Sequence, residues 1–154
     1  LPVPAQQGKN EVSKVDFHII DNDEKSAFFR YACRLVRKAY NKGYRVYVRT
    51  ENEQDMKQLD TLLWTFSDLD FIPHAMLDRE SGQEPVIIGM IEHQADSSTV
   101  LINLSTTMVK NYSSYSRVFE VVSNDPVSVA AGRERYRNYR QMNDELSNHH
   151  VAAN

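Results

Sequence analysis

The stretch Gly132–Met142, GRERYRNYRQM, places Arg133, Arg135, Arg137 and Arg140 around Tyr136 and Tyr139. Guanidinium groups bind carboxylates and phosphates through paired hydrogen bonds, and phenol rings supply flat apolar walls. On a helix turning about 100° per residue, Arg137 falls about 40° to one side of Arg133 and Arg140 about 20° to the other. Tyr136 lies about 60° away, so these four side chains share one face. Arg135, Tyr139 and Met142 lie on a different side. Tyr139 and Met142 are expected to cover a sheet, with the Arg135 stem laid along it. Like-charged neighbours on an exposed helix cost about a few tenths of a kcal/mol per pair. The face is either a solvated basic surface or a receptor for anionic groups, with Tyr136 walling an adjoining apolar slot. Arginine throughout, with no lysine in the stretch, favours the receptor.

Other chemistry-bearing residues are sparse. Asp21 and Asp23 follow the first apolar run and could hold Mg²⁺, but a turn with Asp23 as helix N-cap accounts for both. His74 sits in a loop without a partner histidine at metal spacing, and the adjacent His149 and His150 fall in a polar tail, so no metal is assigned. Cys33, the single cysteine, has no internal disulfide partner and lies within an apolar helical pattern, as a buried thiol does. Trp64 falls off the apolar stripe of its helix, with Phe71, Ile72 and Pro73 a few residues on. It is either a protein-binding anchor or a ring packed under its own loop. Neither GxGxxG nor GxxxxGK[ST] follows the first strand, where DNDEKS stands instead, and GxSxG is missing. Nucleotide cofactors and serine-hydrolase chemistry are therefore not expected, nor is any catalytic residue.

The elements that must position these residues follow from hydrophobic period. VDFHII, YRVYVRT, PVIIGMI, VLINLS and RVFEVVS read as strands. Helices are expected from Glu24 to Lys42, with Gly43 just past the end, from about Asn52 to Phe66, and from Pro126 to about Glu145. SDLDFIPH between them reads as an irregular loop. Strands alternating with helices imply an α/β fold: a Rossmann-like open, largely parallel sheet with helices on both faces and no nucleotide-binding loop. Residues 1–13 read as a flexible leader, 14–146 as a single α/β domain and 147–154 as a frayed tail.

Composition sets the boundaries. The 154 residues carry 41% hydrophobic and 25% charged side chains and a net charge of -3. No global positive field draws this chain to DNA or anionic lipid, so anion binding has to be local. No apolar run approaches a bilayer crossing, and a cytoplasmic protein is expected.

The quoted segments, in order, resemble the chi subunit of bacterial DNA polymerase III. The likeness runs from about Val15 to Met142 through IIDND, KGYRVYV, LDTLLW, FIPH, VLINLS, EVV and RERYRNYR. The link between EVV and the basic helix is shorter than in the family pattern. The resemblance implies a Rossmann-type fold without nucleotide or other cofactor, and a non-catalytic accessory subunit of a DNA-directed DNA polymerase holoenzyme, attached to its clamp loader. It implies binding of the acidic, Phe-ending C-terminal tail of single-stranded-DNA-binding protein by Arg133, Tyr136, Arg137 and Arg140. It also implies binding of the psi subunit, the tether to the clamp-loader ATPase, by Trp64 and Phe71 with Pro73 nearby. Two rivals come from other classes. One is direct single-stranded nucleic-acid binding by the arginines and tyrosines, against which stands the acidic chain. The other is an enzyme using Asp21 or Asp23.

Overall fold

The computed structural model describes residues 12–65, 72–77, 84–93 and 96–152. Among these residues, seven strands and three α-helices follow in the order β1 (Lys14–Asp21), α1 (Lys25–Asn41), β2 (Arg45–Arg49), α2 (Glu53–Thr65), β3 (His74–Met76), β4 (Val86–Gly89), β5 (Thr99–Asn103), β6 (Arg117–Val122), α3 (Pro126–Gln141) and β7 (Glu145–Ala152). They form one open sheet in the order β3-β4-β2-β5-β6-β1-β7. Every neighbouring pair is parallel, which makes the fold an α/β Rossmann-like one.

Alternation along the strands divides the core in two. Val46, Val48, Val100, Ile102 and Val121 meet Phe29, Ala32, Val36 and Cys33 of α1 and Met56, Leu59 and Leu63 of α2. The intervening Tyr47, Leu101 and Val118, with Val15 and Phe17, form the opposite core under Tyr139 of α3. Successive strand residues point to opposite faces, so both faces of these central strands are covered. Burial pushes the Cys33 thiol up to about 12, the state of an inert core group. Gly43 ends α1 in the left-handed region at φ 92, where a side chain would be strained.

Several expectations are corrected. FIPH reads as part of a loop, yet His74–Met76 pairs with β4 as a three-residue edge strand, too short to show a period. The tail expected to fray is β7, paired with β1 from Lys14↔Glu145 to Asp21↔Ala152. Its sequence ELSNHHVA is polar because this edge strand is held by backbone hydrogen bonds and leaves most side chains in water. α3 stops at Gln141, not near Glu145, because Asn143 turns left-handed at φ 62. Met142 is therefore exposed beyond the helix and does not cover the sheet. Asp23 is not the α1 N-cap. Glu24 takes that position, and Asn22 Oδ1 holds the turn by accepting the Glu24 N–H at 2.7 Å. Most of the expected leader, residues 1–11, lies outside the described residues.

Arg135 goes further inward than its stem. Its guanidinium is buried, and its Nε donates to Glu120 Oε1 at 2.9 Å. Glu120, in mid-strand on β6, is fully buried and also accepts from Tyr139 Oη at 2.6 Å and Asn103 Nδ2 at 3.1 Å. Arg135 Nη1 donates to the Thr106 carbonyl at 2.9 Å. A buried carboxylate without cation and donors would be costly, so these groups depend on one another. Removing one partner from a buried ion pair costs about 3–5 kcal/mol. Arg135→Ala is expected to lose stability on that scale in urea unfolding, with a smaller loss when Glu120→Leu is added. Equal or greater loss in the double variant would show that the ion pair is not the coupling.

Candidate protein-binding surfaces

Two features bring α3 close to the sheet. Asp125 caps the helix, its Oδ1 accepting Ser128 N–H at 2.8 Å, and that bond leads in holding the carboxyl below its ordinary pKa range. A Cβ on Gly132 would sit 3.1 Å from Val122 Cγ2, so glycine permits the close approach. With Arg135 and Tyr139 turned inward, Arg133, Arg137 and Arg140 are all exposed and Tyr136 is half-buried between the two sides. The structure thus brings these four predicted residues together on one face. Tyr136 rests edge-on against Phe17, ring centroids 5.3 Å apart. Val129 is also partly buried against this core, two turns before Tyr136. An apolar margin therefore borders the basic row. Arg137 pairs with exposed Glu134, while Arg133 and Arg140 form no ion pair among the described residues.

The second predicted surface lies at the far edge of the sheet. Trp64, near the end of α2, is 54% exposed, and its ring lies 4.6 Å from that of His74 at the start of β3. His74 is buried and oriented by the Ile72 carbonyl at 2.7 Å from Nδ1. Pro73 is half-buried beside it. Phe71 lies outside the described residues.

Among the described residues, neither aspartate considered for chemistry heads a reactive cluster. Asp23 lines a cleft of about 200 Å³ beyond the C-terminal ends of the strands, with Glu51, Asp55 and Asp125. Asp55 is paired with Lys25 at 2.9 Å, and Glu51 accepts the Thr106 N–H at 2.7 Å. Asp21 is exposed at the end of β1.

Sequence reasoning missed a third feature. Between β1, α1 and β7 lies a cavity of about 460 Å³ lined by Asp16, His18, Tyr31, Lys38, Arg117 and His149, among others. Asp16 pairs with Arg117 at 2.6 Å. Burial, and then the neighbouring His149, push the His18 imidazole down to about 4. The alternation of Asp16 and His18 in VDFHII was legible, but the approach of His149 depends on β7.

Comparison with known proteins decides the family. The model described as "DNA polymerase III chi subunit, HolC" matches residues 12–147. The chain belongs to the DNA polymerase III chi subunit family. It is 34% identical over 140 residues to DNA polymerase III subunit chi of Pseudomonas aeruginosa, covering 91% of this chain and 98% of the relative. Against the subunit chi of Escherichia coli K12 it is 28% identical over 130 residues, covering 80% and 88%. Against that of Haemophilus influenzae it is 25% identical over 138 residues, covering 88% and 95%. The resemblance read from the seven segments is thus confirmed, and this chi-family chain is an accessory subunit of DNA replication. No helix among its described residues is long and apolar enough to cross a membrane.

The chi-family helix α3 carries two kinds of arginine, and mutation separates them. Exposed ion pairs contribute about 0–1 kcal/mol, so Arg137→Ala is expected to leave the unfolding free energy within about 0.5 kcal/mol of wild type. Urea titration checks this. A loss of several kcal/mol would mean that Arg137 supports the fold and is not an available surface group.

Proposed function

We propose that this chi-family chain is a non-catalytic adaptor that binds the acidic, Phe-ending C-terminal tail of single-stranded-DNA-binding protein. In this reading Arg133, Arg137 and Arg140 receive the tail's carboxylates, and Tyr136 with its apolar margin receives the terminal Phe. The observation that carries it is the exposed row of three arginines beside a ring held on Phe17. Charge alone would hold an anion. Charge beside an apolar wall suits an acidic peptide that ends in an aromatic residue.

The same reading gives Trp64 and Pro73, with Phe71, to the psi subunit and through it to the clamp loader. Its support is topological. α2 packs by β3 and β4 at one end of the sheet, while α3 packs by β6 and β7 at the other end and on the opposite face. Two partners held there would not compete for space. The adaptor acts in the cytoplasm, where replication takes place. Direct single-stranded nucleic-acid binding is less well supported, because Glu134 flanks the row and pairs with Arg137, and the whole chain is acidic.

Calorimetry with a peptide of the last residues of the organism's single-stranded-DNA-binding protein tests the first surface. Arg137→Glu turns an attraction into a repulsion and is expected to weaken binding more than about tenfold. Binding is expected to weaken with salt but to persist, since the Phe contributes an apolar part that salt does not screen. Trp64→Ala is expected to leave peptide binding unchanged and to cost about 2 kcal/mol or more in binding psi. Equal peptide affinity for wild type and Arg137→Glu would remove α3 from the site.

A further inference from the structure

We propose that Asp16, His18 and His149 form a Zn²⁺ site between β1 and β7, separate from both protein-binding surfaces. In the parallel pairing His18 stands beside His149, and their rings lie 4.9 Å apart. Asp16, two residues before His18, projects from the same face of β1. One ligand atom from each of the three residues lies within 4.8 Å of the others. A tetrahedral zinc with ligands at about 2.0–2.2 Å needs donors roughly 3.3–3.6 Å apart. Small side-chain rotations close that difference, and His149 is exposed and able to turn.

The surroundings of His18 suit a ligand. Its Nδ1 is bonded to Tyr31 Oη, while its Nε2 is buried with no hydrogen-bond partner. With Nδ1–H donating to Tyr31, Nε2 presents a lone pair, and Tyr31 orients the ring as partners of metal-bound histidines do. Two imidazoles and one carboxylate are a donor set that zinc prefers over magnesium or calcium. The cavity leaves room for water as a fourth ligand. Arg117, on Asp16 Oδ2, and Lys38 and Lys42 at the cavity wall oppose a dication, so affinity is moderate and Arg117 tunes it. The bound ion would fasten the last strand to the first.

The test uses the full chain, free of any affinity tag and stripped with chelator, titrated with zinc chloride by calorimetry. A single equivalent is expected to bind. His18→Ala and His149→Ala should each weaken it by about tenfold or more, as should Tyr31→Phe to a smaller degree. His150→Ala should leave it unchanged, and Arg117→Gln should tighten it. Circular dichroism confirms that each variant is folded, and exposed His149 supplies the variant least able to disturb the core. Absence of saturable binding would overturn the site. So would binding that survives loss of both His18 and His149, or binding lost equally with His150.

Discussion

A carboxylate buried in the middle of a strand is the constraint on which the α3 side of this molecule depends. Glu120 is flanked along β6 by Phe119 and Val121 and is fully out of water. It is held by a guanidinium from α3, a hydroxyl from α3 and an amide from β5. Burial, with Glu120 beside it, pushes the Tyr139 hydroxyl far above its ordinary range, so the phenol remains a donor. Apolar packing would let a helix slide or roll at little cost. A buried ion pair with three kinds of donor does not, since a misplaced helix would strand a charge. The network therefore fixes how α3 is rotated. With Arg135 inward, Arg133, Arg137 and Arg140 stand about 140–160° around the helix from it. The outward basic row is the geometric consequence of the inward arginine.

The end of α3 is fixed just as specifically. After the left-handed Asn143, Asp144 accepts from Tyr112 Oη at 2.5 Å and from the Ser13 N–H at 3.2 Å. The chain then enters β7 beside β1. Both ends of the described core thus meet at one edge of the sheet. Ser13 precedes the first strand, and its carbonyl accepts the Glu145 N–H at 2.9 Å. This stitching sets the register in which His149 reaches His18, and it completes the floor on which α3 lies.

Much of the fold was legible because central parallel strands announce themselves. PVIIGMI and VLINLS are continuous apolar runs, and the α1 stripe recurs at helical spacing. β3 and β7 were not legible for two different physical reasons. HAM is buried at His74 and Met76 but is too short to show a period, whereas β7 forms at the edge by backbone hydrogen bonds, so ELSNHHVA did not have to be apolar. The arginine face followed from helical period, but the depth of Arg135 did not. The available signal was Glu120 within VFEVV, a charge in a strand otherwise fit for the core, which demands a buried cation somewhere. From the sequence, Trp64 is either an anchor or a packed ring. Its exposure favours the first, and its contact with His74 shows why a helix end cannot be oriented from period alone.

Charge placement explains how an acidic chain can present a basic face such as the one proposed to receive an acidic peptide. Electrostatic interactions between exposed groups fade over about 8–10 Å at physiological salt. A partner at that range feels the local row and not the net charge of -3. Long-range attraction is correspondingly weak, so polyanions such as DNA gain little from the molecule as a whole. Once a peptide is in contact, the balance changes. Arg133 and Arg140 lack acidic partners among the described residues, and Arg137 has only an exposed one, which gives little back when exchanged. Arg135, on the far side of the helix and buried with Glu120, adds no charge to the row, so the exposed strip stays narrow and its apolar border stays near. A wider basic patch would bind anions less selectively. In the proposed site, a narrow one beside Tyr136 would require charge and ring together.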